Sequence, residues 1–160
     1  MTDRSSRLPD LGSRGQGWVV LQGVLLLGLA AAATIGPPPD AGIVPRLTAG
    51  AAVTVAGLAL LLAGSRALGA SLTPLPRPRE GAAFRDDGIY GRARHPIYGG
   101  VLLLALGISL LTSPVGLVPT ALLIVLFVGK SRREEAWLLD RYEGYAAYRE
   151  RVRRRFLPGL

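Results

Sequence analysis

The chain has 160 residues, 49% hydrophobic and 19% charged, with a mean hydropathy of +0.34 and a formal net charge of +8. Apolar content this high, gathered in blocks, excludes an ordinary soluble domain and points to a single integral-membrane domain over 1–160. With no cysteine there is no disulfide framework, no thiolate metal site and no cysteine nucleophile in this chain.

A basic segment over 1–17, with Arg4, Arg7 and Arg14, precedes the first apolar block, Trp18 to Ile35. That block ends at Gly36-Pro37-Pro38-Pro39-Asp40, a strong chain breaker. A basic start, an apolar run and Ala31-Ala32-Ala33 is also the pattern of a cleavable signal peptide. The block is longer than an ordinary signal core, which favours a retained span, and cleavage leaves the rest of the topology unchanged. The second block runs from about Leu47 to Gly64. Both approach the length a tilted helix needs to cross a hydrocarbon core of about 30 Å.

The connection from Ser65 to His95 carries Pro74, Pro76 and Pro78 at alternate positions, which favours extended backbone. Asp86-Asp87-Gly88 then reads as a turn. The third block starts at Pro96 or Ile97 and ends at Leu111; the fourth runs from Val115 to Gly129, with Thr112-Ser113-Pro114 as the tight turn between them. Pro96 suits the first turn of a helix, where its missing N–H is no loss. Pro119, inside the fourth block, predicts a kink. These two blocks are short for a span. The fourth is expected to continue as helix past Gly129, with Lys130 and Arg132 snorkelling to the interface. The tail reads as an amphipathic interfacial helix, with Leu138, Tyr142, Tyr145, Tyr148, Val152 and Phe156 at 3–4 spacing. The predicted fold class is therefore an all-α membrane protein with about four transmembrane helices and a C-terminal amphipathic helix.

Arginines flank the apolar blocks instead of covering one face of a soluble domain, so anionic lipid and not nucleic acid is the expected partner. Six arginines from Arg66 to Arg94 lie between the second and third blocks, and the tail beyond Lys130 is densely basic. The positive-inside rule then places the N-terminus, the middle loop and the tail together in the cytoplasm.

The chemistry-bearing residues fall on that face. Tyr90, Arg94, His95 and Tyr98 stand at the entry to the third helix, and Glu134 and Glu135 at the exit of the fourth. The short turn between those helices makes them neighbours, so their cytoplasmic ends meet. Ionisable groups at such a depth point to function, since membrane burial of charge is costly. One histidine and two adjacent glutamates form a poor metal-ligand set.

Gly88-x-Tyr90, Arg94-His95-Pro96-x-Tyr98-x-Gly100, Glu134-Glu135, Tyr145-x-x-Tyr148 and Arg155-Phe156-Leu157-Pro158, in that order, resemble the isoprenylcysteine carboxyl methyltransferase family. The phospholipid methyltransferases look similar over the same segments. The resemblance covers 84–158, the methyltransferase-like region. One departure is Arg141-Tyr142, where family members often have Phe-Gly. The resemblance implies S-adenosylmethionine as cofactor, held by Tyr90, His95, Pro96, Tyr98, Gly100, Glu134 and Glu135, with Arg94, His95 and Glu134 as catalytic residues. It also implies a lipid or lipidated acceptor. Glu134 is the first choice for the cofactor's ammonium and Glu135 the second, while Arg94 is placed to orient a carboxylate. A carboxylate acceptor needs no general base; an amine acceptor needs one, a role open to His95. Two other classes remain: an adaptor that binds anionic lipid through its arginine-rich loops, and a nicotinamide-dependent membrane reductase, implied by a loose resemblance to the C-terminal region of the integral-membrane sterol reductases.

Overall fold

The computed structural model describes residues 9–35 and 43–159. Arg4, Arg7 and the breaker Gly36–Asp40 lie outside the described residues. Five α-helices form: α1 (Gln16–Ile35), α2 (Ile43–Leu68), α3 (Pro96–Leu111), α4 (Leu117–Arg141) and α5 (Tyr145–Arg151). No strand occurs among the described residues. Three helical segments are long and apolar enough to cross a membrane: α1, α2 with the 3-10 turn that continues it, and α4 with the 3-10 turn that precedes it. At 16 residues, α3 spans only about 24 Å. The four long helices match the expected blocks, and α2 continues past Gly64 through Ser65 and Arg66.

The fourth block does continue as helix through Lys130 and the paired glutamates, as far as Arg141. Two expectations about it change. Pro119 falls in the first turn of α4, where no intrahelical N–H bond is formed, so it belongs to the helix start and not to a kink. Lys130 does not snorkel. It is 1% exposed, because Gln22 of α1 offers its side-chain oxygen at 2.7 Å. The tail helix is also shorter than its spacing predicts. The run from Leu138 to Phe156 is divided among the end of α4, the 7 residues of α5, and a non-helical segment after Arg151. Its tyrosines face inward: Tyr145 and Tyr148 are buried with Val152, against Phe84 and Tyr142.

Glycine sets the closest helix contact. Gly50, Gly57 and Gly64 recur every seven residues on α2, and Gly100 and Gly107 do so on α3. Gly57 abuts Gly100 and Leu104, while Gly107 abuts Gly50 and Thr54. Small residues at such a seam let two backbones approach closely within a membrane. A Cβ at Gly100 would sit 2.6 Å from the Leu61 amide nitrogen and 2.9 Å from the Gly57 carbonyl. Backbone cannot swing aside as a side-chain tip can. Gly100→Val should therefore cost about 3 kcal/mol, read as a lower unfolding temperature in detergent, and an unchanged midpoint would contradict this seam.

The second pairing joins α1 to α4. Trp18 covers Gly129, and Trp18, Leu29, Leu123, Leu126 and Phe127 form the core with Ala105 of α3. Ser109 and Thr120 meet at 3.2 Å between α3 and α4. At one end of the bundle the N-terminal segment, the middle loop and the tail interlock. Asp10 pairs with Arg133, Arg77 donates to the Ser13 carbonyl at 3.0 Å, and Arg151 reaches Asp86 at 2.7 Å. The groups grouped by charge in the sequence thus share one face.

Candidate active site

The site grows from the turn that feeds α3. Gly88 adopts φ +53°, and Gly91 donates to the Asp87 carbonyl at 3.0 Å, which closes the turn before Arg94. The next two amides are held by the tail: Arg94 N–H donates to the Arg154 carbonyl at 3.0 Å and His95 N–H to Arg155 at 2.7 Å. Pro96 then opens α3.

The Arg94 guanidinium reaches in two directions. Its Nε donates to Glu135 Oε1 at 2.9 Å, and its Nη1 donates to the carbonyls of Val152 at 2.6 Å and Arg153 at 2.9 Å. Arg94 is 9% exposed and Glu135 4%. Nε2 of His95 lies 3.0 Å from the same Glu135 oxygen. A carboxylate bound to a guanidinium only accepts, so Nε2 carries the proton. Arg155 adds a contact to Glu135 Oε2 at 3.8 Å. Burial lowers the pKa of Arg155, and the Glu135 carboxylate opposes that shift. Glu135 is thus the hub that joins α4, the α3 entry and the tail.

Glu134 is placed differently. Its side chain is 25% exposed, Oε2 accepts the Tyr98 hydroxyl at 2.7 Å, and His95 Nδ1 stands 3.6 Å from that oxygen. Oε1 has no hydrogen-bond partner among the described residues. Tyr98 is stacked: its ring is 5.4 Å from His95 at 2° and 4.7 Å from Phe127 at 6°.

A cavity of about 120 Å³ opens onto Glu134, His95, Arg94 and Tyr98. Tyr90, Tyr142, Tyr145 and Tyr148 form its aromatic wall, and Leu68, Ile97 and Leu138 its apolar one. Burial, and then the charge of Glu134, raises the Tyr90 pKa; burial followed by Glu135 and Glu134 does the same for Tyr145. Both remain neutral phenols. Tyr148 donates to the Tyr90 carbonyl at 2.8 Å, and Tyr142 donates to Ala82 at 2.6 Å while stacking on Phe84 at 5.4 Å. Tyr142, at the point of departure from the family pattern, thus fastens the tail to the loop.

Arg94, His95, Tyr98, Tyr90 and Glu134 therefore share one cavity, and Glu135 stands behind it. Pro96 is buried at the helix start, and Gly100 faces α2 in the glycine seam. Sequence reasoning missed Gln22, Phe127 and the buried role of Lys130. A signal existed for two of them: Gln22 is the one polar side chain between Trp18 and Ala33, and Lys130 is the only lysine.

The model of a protein family described as phospholipid methyltransferase matches residues 45–144. That match takes in α2, α3 and α4 with the loop, where the motif resemblance began only at residue 84, and it stops just before Tyr145. No curated protein matches the chain.

Proposed function

This chain belongs to the phospholipid methyltransferase family and is a membrane methyltransferase, and from that premise we propose that S-adenosylmethionine supplies its methyl group to a lipid or lipidated acceptor at the cytoplasmic face. The observation that carries the reading is Glu134: a carboxylate on the wall of an aromatic cavity, with one oxygen left over after Tyr98 is served.

The residues present fit that cofactor. Glu134 Oε1 offers a partner to an α-ammonium, and Tyr98 keeps the carboxylate oriented toward the cavity. The Tyr90, Tyr145 and Tyr148 faces suit an adenine ring and a sulfonium, both of which associate with π-systems. His95 is held by Glu135, and its Nδ1 edge lies on the Glu134 side. When bound, the cofactor would supply an electrophilic methyl carbon for direct attack by the acceptor, with the thioether as leaving group, so the chain needs no nucleophile of its own. What the chain contributes is position and a wall against water. Glu135 and Arg94 act as the frame: they fix His95 and the tail whose tyrosines close the cavity. The basic residues at this end of the bundle support a cytoplasmic orientation.

Calorimetry on the purified chain in detergent, with S-adenosylhomocysteine and with NADPH, tests the reading. Binding of the first alone is the expected result. Binding of NADPH alone would overturn the cofactor assignment in favour of the reductase reading, and binding of neither would favour the adaptor. Membranes containing the chain, incubated with methyl-labelled S-adenosylmethionine, should carry label in a lipid or lipopeptide fraction. A base-labile label identifies a carboxyl ester, and a stable one an amine or other acceptor.

A further inference from the structure

Lys130 is the most deeply buried charge in the described residues, and nothing above gives it a task. It lies one helical turn before Glu134 on α4. Its Nζ donates to Gln22 Oε1 at 2.7 Å and stands 5.1 Å from the centroid of the Tyr98 ring and 5.9 Å from that of Phe127. A buried ammonium is costly unless it is compensated. Here the compensation is one amide oxygen and two ring faces, and a cation over an aromatic face is held by the ring quadrupole. The attraction works in both directions: with His95 and Phe127 stacked on the Tyr98 ring, Lys130 closes a further side and limits the ring's displacement. The ring's position sets the place of the Tyr98 hydroxyl, which lies 2.7 Å from Glu134 Oε2.

We propose that Lys130, set by Gln22, is a positioning residue for the Tyr98–Glu134 arm of the cavity, so that α1 is a working part of the site. α1 lies outside the residues matched by the family model. Other roles for α1 explain less. Trp18 and Leu29 already anchor it to the core, and a helix that served only as a membrane anchor gains nothing from a glutamine at a part-buried polar contact. The proposal rests on the reading of Glu134 as the contact for the cofactor's ammonium.

The test uses the full chain in detergent and reads S-adenosylhomocysteine affinity by calorimetry, with KM and kcat measured separately. Gln22→Leu leaves the ammonium without its acceptor and should weaken affinity about tenfold. Gln22→Glu restores an acceptor oxygen and should return affinity to within about threefold of wild type. The double variant Gln22→Leu with Lys130→Met removes both polar partners and replaces them with apolar groups, a change that commonly leaves folding intact. If Lys130 positions Tyr98, this double variant unfolds near the wild-type temperature yet still binds weakly, with the loss in KM for the methyl donor and not in kcat. Recovery of wild-type affinity in the double variant would make the pair purely structural and overturn the proposal. If wild type binds and Gln22→Leu binds equally well, the proposal fails alone. If wild type itself binds nothing, the reading of Glu134 fails with it.

Discussion

Replacing Glu134 by glutamine should lower kcat/KM for S-adenosylmethionine by about 30- to 100-fold, almost all of it in KM. Glutamine has the same shape, and its carbonyl oxygen can still accept the Tyr98 hydroxyl that sits at 2.7 Å, so the cavity wall is preserved. What disappears is the charge. A hydrogen bond to an ionised group is worth about 2–3 kcal/mol where water is partly excluded, which corresponds to that range of affinity. The ammonium is remote from the carbon that moves, and its grip is the same in ground and transition states. Interactions of that kind appear in KM and not in kcat. Initial rates over a range of donor concentration, paired with S-adenosylhomocysteine calorimetry, make the check. An affinity unchanged by the substitution would remove Glu134 from the cofactor's contacts.

Arg94→Ala acts by another route and should be the most damaging single change to the fold. It removes the Nε bond to Glu135 and the two Nη1 bonds to the carbonyls of Val152 and Arg153. Glu135, at 4% exposure, is then a buried carboxylate left with His95 and a distant Arg155, and two carbonyls are orphaned. Breaking a buried pair by deleting one partner costs about 3–5 kcal/mol. The unfolding midpoint in detergent should fall accordingly, and the tail beyond Arg151 should become a target of limited trypsin digestion. Arg94→Lys should rescue little, because a single ammonium cannot serve the carboxylate and both carbonyls at once. A tail as protected as in wild type, with only KM for the acceptor raised, would instead assign Arg94 to the substrate.

Much of this was legible in the order of residues, for identifiable reasons. Pro96 marked the start of α3 because proline is tolerated only in a helix's first turn, and the short Thr112–Pro114 turn implied the meeting of helix ends on which Glu134 and Tyr98 depend. The continuation of α4 into charged sequence followed from the lack of a turn residue after Gly129. The errors come from partners remote in sequence. Lys130 looked free to snorkel because nothing nearby in the chain could satisfy it; Gln22, on another helix, does. The tail looked like one continuous helix because its apolar spacing is regular, but the carbonyls after Arg151 are taken by Arg94 and His95. Both glutamates were expected at the cofactor, Glu134 ahead of Glu135. Burial separates them, making Glu135 a framework group and leaving Glu134 at the cavity.

The glycine seam has a bearing on selectivity. Gly64 of α2 faces Ile97, and a Cβ there would lie 2.8 Å from Ile97 Cγ1 and 3.3 Å from the Ile97 backbone nitrogen, at a stiff β-branched side chain that lines the cavity. A methyl group added at position 64 therefore presses on the cavity wall as well as on the seam between the helices. Position 64 works as a remote caliper on the room available to a guest molecule, adjustable without altering any group that touches it.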